Sequence, residues 1–149
     1  MKTLVIFDSN FGNTQKITEA IAKEFETQAL PVSKVSIDEL VGLNLVIVGS
    51  PINAWRPSER MGKFLASLNK GQLKGIKAAA FDTRVKLFIH GDAAKKIAKA
   101  LENAGAEVIV EPLAFFVKGK EGPLLDGEIE KASQWAKLIR AKYEHLSED

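Results

Sequence analysis

Three short stretches of the chain concentrate side chains able to hold a small ligand. The first is Asp8-Ser9-Asn10-Phe11-Gly12-Asn13-Thr14. Ser9, Asn10, Asn13 and Thr14 carry short polar side chains that can donate hydrogen bonds, and Gly12 allows a tight turn or a close backbone approach. An apolar run precedes the stretch and a helical pattern follows it. The start of that helix offers free N–H groups and a partial positive charge. Together these groups make a pocket for a phosphate. An ordinary strand-to-helix turn, with Asn13 or Thr14 as N-cap, accounts for the same spacing. The second stretch is Gly49-Ser50-Pro51-Ile52-Asn53-Ala54-Trp55-Arg56-Pro57. Two prolines stiffen it, and Trp55 at its tip can stack on a flat ring or fold back over the core. The third is Asp82-Thr83-Arg84-Val85, whose polar groups reach the same crevice or form a plain surface Asp–Arg pair.

Other chemistries are excluded. The chain holds no Gly-Lys-Ser/Thr and no G-x-G-x-x-G, so it has neither a Walker A loop nor a dinucleotide fingerprint. One glycine and several polar side chains fit a monophosphate recognised mainly without cations, with Lys16 nearby. Cysteine is absent, which removes disulfides, thiol nucleophiles and thiolate metal sites. Two histidines, His90 and His145, cannot build a His-rich metal motif. Twenty-one basic residues against 19 acidic ones leave a net charge of +2, too balanced to argue for nucleic acid. No apolar run approaches the roughly 20 residues of a membrane span. Asp8 follows only four apolar residues, too few for a signal-peptide core, so a cytoplasmic chain is expected.

The elements that position these stretches are legible as patterns. At 149 residues and 46% apolar content, the chain is expected to form one domain, residues 1–149. Leu4–Phe7, Leu45–Val48, Ile76–Phe81 and Val108–Val117 are apolar runs without polar alternation, as in parallel strands covered on both faces. Val32–Ile37 is half polar and follows Pro31, so it reads as an edge strand. Helical stripes fill the gaps: Ile17, Ala20, Ile21 and Phe25; then Met61, Phe64, Leu65 and Leu68. Ala94, Ile97, Ala98 and Leu101 follow, with Gly105 as C-terminal cap. Ile129, Ala132, Ala136, Ile139 and Tyr143 make the last. This alternation predicts an α/β fold: one doubly wound, five-stranded parallel sheet of order 2-1-3-4-5, with helices on both faces. In such a sheet a ligand binds beyond the carboxyl ends of strands 1 and 3.

The set resembles the flavodoxin-like FMN-binding proteins in their short-chain form. Their first loop typically reads Ser/Thr-x-Thr-Gly-x-Thr, and Ser9-Asn10-Phe11-Gly12-Asn13-Thr14 keeps the Ser, the Gly and the final Thr. Phe11 stands where the family usually has a hydroxyl. Val48-Gly49-Ser50-Pro51 resembles the family's Gly-Ser-Pro segment, with an aromatic residue following at Trp55. The family's Gly-rich third loop, often with a stacking Tyr, is absent, and Phe88 and His90 are the ring residues nearby. Residues Val108–Val117 run without a long insertion, as in short chains.

The resemblance implies FMN as cofactor. It implies that Ser9, Asn10, Phe11, Gly12, Asn13 and Thr14 hold the 5′-phosphate. Ser50, Pro51, Ile52, Asn53, Ala54 and Trp55, with Asp82, Thr83 and Arg84, would flank the isoalloxazine. The family's second loop often has a glycine whose peptide flips on reduction; here Asn53 best tolerates positive φ. Electron transfer to a redox protein or a small anionic substrate is implied, with electron carriage favoured over a dedicated enzyme. Residues 50–63 carry a net +2 and residues 82–92 a net of zero, where the family's carriers are typically strongly acidic. Flavodoxin-like quinone or porphyrinogen oxidoreductases, and a binding module that lost its flavin, are the alternatives. A phosphoacceptor receiver domain fails because Gly49-Ser50 stands where it needs an aspartate.

Overall fold

A computed structural model describes residues 1–86 and 91–147. The chain runs β1 (Thr3–Phe7), α1 (Asn13–Glu24), β2 (Ala29–Pro31), a 3-10 turn (Val32–Lys34) and α2 (Ile37–Leu40). It continues through β3 (Leu45–Asn53), β4 (Arg56–Pro57), α3 (Glu59–Ala66), β5 (Lys77–Val85) and α4 (Ala93–Asn103). It ends with β6 (Glu107–Val108), β7 (Leu113–Val117) and α5 (Glu128–Ser147). The strands form one sheet of order β2-β1-β3-β5-β6, with β7 pairing the distal half of β5 and β4 folded back on β3. Counting β6 and β7 as one interrupted strand position gives the expected order.

Continuous apolar strands follow from cover on both faces. Leu4, Ile6, Val46, Val48, Ala78 and Ala80 face the layer built by α2, α3 and α4. Val5, Leu45, Ile47, Ala79 and Phe81 alternate with them and face α1 and α5. In register, Val5 lies beside Ile47 and Ile47 beside Ala79, so each face is one contiguous apolar surface. Gly49 lies beside Phe81, and a Cβ there would come 2.0 Å from the Phe81 ring. That ring packs edge-on against Phe115 and Trp135. The glycine is therefore required by close approach, directly below the second loop.

Four expectations are corrected. Val32–Ile37 is not a strand: the edge strand ends at Pro31, and Ser36 with Glu39 forms a capping box that opens α2. The strand from Ile76 does not stop at Phe81. Pairing of Phe81–Val85 with Leu113–Val117 carries β5 through Asp82, Thr83 and Arg84, which are strand residues rather than a loop. Val108–Val117 is broken, because β6 sits 30 residues and β7 32 residues beyond its partners on β5. The two extra residues bulge at 109–112, where Pro112 cannot donate to the ladder. Ile129 is 44% exposed, and Trp135 takes the core place on α5. No helix of the described residues is long and apolar enough to cross a membrane.

Candidate functional site

The carboxyl ends of β1, β3 and β5 bring the three stretches to one cleft, lined by Ser9, Asn10, Phe11, Asn13, Thr14, Pro51, Ile52, Asn53, Thr83 and Arg84. Val85, Val117 and Lys120 complete the lining. Gly12 makes the turn from β1 into α1 with φ of +89°, a region a side chain rarely adopts. Its N–H donates to Ser9 Oγ at 3.0 Å, which leaves the Ser9 hydroxyl proton to point elsewhere. Gly12, not Asn13 or Thr14, is the N-cap of α1, and among the described residues no side chain closes that helix end. Its first-turn N–H groups are therefore the orphan donors of an uncapped helix.

Thr14 is buried, and its hydroxyl sits 2.8 Å from that of Thr83 on β5. The pair ties the first loop to the third stretch across the sheet. Asn13 Nδ2 donates to the Glu121 carbonyl at 3.1 Å, so its amide nitrogen fixes the loop before α5. On the other flank, Asp8 is buried and accepts from Ser58 Oγ at 2.6 Å and from Arg60 Nε at 2.9 Å. Arg60 Nη2 also donates to Asn10 Oδ1 at 3.1 Å. That orients the Asn10 amide, whose NH₂ is the side chain's donor group. Ser58 Oγ accepts in turn from Met61 N as the N-cap of α3. The carboxylate of Asp8 is thus neutralised from behind.

The second stretch is a hairpin, not a loop. Ile52 pairs with Pro57 and Asn53 with Arg56, so Ala54 and Trp55 are its two turn residues. Both have positive φ, 47° and 73°, as a two-residue hairpin of matching twist demands. Positive φ falls on these two residues and not on Asn53, contrary to expectation. Each costs on the order of 1 kcal/mol in a non-glycine residue. Lys96 Nζ holds the Trp55 carbonyl at 2.9 Å, and Gly91 packs so close that a Cβ would lie 2.3 Å from that oxygen. Trp55 is 53% exposed, so its ring is not folded over the core. Ser50 is fully buried; its hydroxyl donates to the Pro51 carbonyl and accepts from Ser58 N. It shapes the hairpin from beneath and does not line the cleft.

Asp82 is fully buried at the end of β5. Arg84, two residues on and so on the same face, meets it through Nε at 2.8 Å and Nη2 at 2.5 Å. Ala94 N, in the first turn of α4, adds a third bond at 2.9 Å, and Asp92 stands 3.3 Å from Arg84. Burial pushes the Asp82 carboxyl up, against the hydrogen bonds and charge of Arg84. Burial acts to lower the Arg84 guanidinium, but Asp82 and Asp92 outweigh it and hold the group above its usual value. Nε and Nη2 grip the carboxyl group in a bidentate pair. Asp82 therefore orients Arg84 and does not itself line the cleft, whereas Thr83 and Arg84 do. Ala54, Trp55 and Gly12 border the cleft without lining it. Phe88 and His90 lie outside the described residues. Lys120, Arg60 and Ser58 escaped the sequence reading, although Ser58 after Pro57 carries a legible N-cap signal.

An open parallel sheet with polar side chains, an uncapped helix N-terminus and an aromatic hairpin at its switch point defines a doubly wound α/β protein that binds at its carboxyl edge. The flavodoxin family profile matches residues 5–135, and the chain belongs to the flavodoxin family. An uncharacterised protein of Methanocaldococcus jannaschii is 29% identical over 154 residues, covering 93% of this chain and 98% of that one. A flavodoxin structure from the domain Archaea superposes with a TM-score of 0.80 at 25% identity, covering 97% of this chain and all of that one. Flavodoxin 2 from Bacillus cereus gives a TM-score of 0.80 at 22% identity, covering 95% and 99%. The chain is accordingly a flavodoxin-like redox protein that carries electrons on a flavin.

Proposed function

We propose that the flavin is FMN, bound with its 5′-phosphate against Ser9–Thr14 and its ring between the Trp55 hairpin and the end of β5. One observation carries the reading: the first loop wraps an uncapped helix N-terminus through a left-handed Gly12, with the Ser9, Asn10 and Thr14 side chains around it. This donor set suits a phosphate monoester. It offers neutral hydrogen bonds and a helix end, with Lys120 and the Asp82-paired Arg84 as the cations among the described residues lining the cleft. The isoalloxazine supplies the redox chemistry when bound. The protein's part is to bind and orient it. Thr83 positions Thr14, Arg60 positions Asn10, and Ile52, Val85 and Val117 give the cleft apolar walls. Phe11 in place of a hydroxyl removes one donor and adds exposed aromatic surface at the mouth. Electrons then pass to a redox protein.

The test is titration of the flavin-free chain with FMN, riboflavin and FAD, followed by absorbance and fluorescence. FMN should bind at least about tenfold more tightly than riboflavin, the equivalent of roughly 1.4 kcal/mol from the phosphate. Equal affinity for FMN and riboflavin, or preference for FAD, overturns the assignment.

A further inference from the structure

We infer that the face formed by α3, α4 and the Trp55 hairpin is a docking surface for an acidic electron-carrier protein. Charge is unevenly spread along this nearly neutral chain. Residues 56–105 hold eleven Lys and Arg against four Asp and Glu, a net of +7, so the rest of the chain is net −5. Two of those four acids, Asp82 and Asp92, are already engaged by Arg84. The basic groups are exposed: Arg56, Arg60 and Lys63 on the hairpin and α3, and Lys95, Lys96 and Lys99 on α4. Lys70 and Lys74, also exposed, extend the surface between the two helices.

These residues share one side of the molecule, because α3 and α4 cover the same sheet face. Between the helices runs a groove with an apolar floor of Pro57, Leu65, Leu68 and Ala100, edged by Lys70 and Lys96. An apolar centre inside a charged rim is the anatomy of a protein interface. The patch follows α4 for 11 residues, about 16 Å, which is wider than a small anion needs. It also meets the flavin cleft. Arg60 holds Asn10 of the first loop, and Lys96 holds the Trp55 carbonyl. Exposed Trp55 is the aromatic anchor at that junction. A partner docked by these charges brings its own redox centre to the cleft edge, which is why an electron carrier is the occupant. In that respect alone the inference rests on the proposed function.

The full chain, with and without flavin, is titrated with an acidic plant-type ferredoxin and with a basic cytochrome c. The comparison variant is Lys63→Glu/Lys95→Glu/Lys99→Glu, none of which lines the cleft. Lys23→Glu/Lys137→Glu/Lys142→Glu makes the same change of net charge on the α1–α5 face. Ferredoxin should bind more tightly than cytochrome c, and binding should weaken about tenfold or more from low salt to about 0.3 M salt. The α3–α4 variant should lose about tenfold, while the α1–α5 variant changes by about twofold or less. Flavin affinity should be unchanged in both, which separates failure of the surface from failure of the flavin site. Equal weakening by the two variants, cytochrome c binding as well as ferredoxin, or tighter binding of duplex DNA or anionic vesicles than of ferredoxin overturns the inference.

Discussion

The hydroxyl pair Thr14–Thr83 is the contact on which the phosphate loop and the third stretch meet, and it allows a sharp test. The oxygens are 2.8 Å apart, Thr14 is 1% exposed and Thr83 5%. One hydroxyl must donate to the other. If Thr14 uses its proton on a ligand, Thr83 must be the donor within the pair, since a hydroxyl has one proton. Replacing either residue with valine keeps shape but strands the other hydroxyl. A buried unpaired hydroxyl costs about 1–3 kcal/mol, and replacing both partners by apolar groups is nearly neutral. Without ligand, each single variant should therefore lose about 1–2 kcal/mol in urea denaturation. The double variant should lose less than the two together, with a coupling of about 1 kcal/mol. Ligand affinity should behave differently. Thr14→Val should weaken FMN roughly tenfold, and the double variant should recover none of it. Thr83→Val should weaken FMN less, because it disturbs only orientation. Riboflavin, which lacks the phosphate, should bind all three variants alike. Additive stability losses would show that the hydroxyls do not bond to each other. A full recovery of FMN affinity in the double variant would place the Thr14 hydroxyl away from the ligand.

Gly49→Ala should cost about 3 kcal/mol, at or above the upper end of overpacking, because its Cβ would sit 2.0 Å from a ring fixed by Phe115 and Trp135; a chemical-denaturation midpoint within error of the parent would contradict the packing. Asp82→Asn should destabilise by about 3 kcal/mol, the lower end for breaking a buried pair, since Asp92 still faces Arg84. A double variant with Arg84→Met should recover part of the loss, and no recovery would mean that the charge left on Arg84 is not the cause. The tryptophans should separate by fluorescence: Trp55→Phe removes red-shifted, flavin-quenched emission and leaves the blue-shifted signal of Trp135, which is 6% exposed. Quenching by FMN that survives in Trp55→Phe would place the ring elsewhere.

The amino-acid order alone determined much of this protein. Continuous apolar runs such as Leu45–Val48 can only be satisfied between two helical layers, so a parallel α/β sheet and its ligand edge followed directly. Gly12 and Thr14 were legible because a strand-to-helix turn needs those residue types locally. What escaped depends on partners distant along the chain. β5 reaches Val85 because β3 pairs with it through Thr83 and β7, 32 residues later, pairs with it through Val85, so Asp82, Thr83 and Arg84 became buried strand residues. Positive φ fell on Ala54 and Trp55 rather than Asn53 because the pairing of β3 with β4 fixed the turn, and tertiary pairing overrode local preference. Arg60 and Asp8 are 52 positions apart, and Asp8 is buried only because α3 folds over the end of β1. Ser50, expected to flank the ring, spends its hydroxyl on the hairpin for the same reason. Local patterns specify which residue types can build an edge; the long-range register decides which of them face the cleft and which hold it in place.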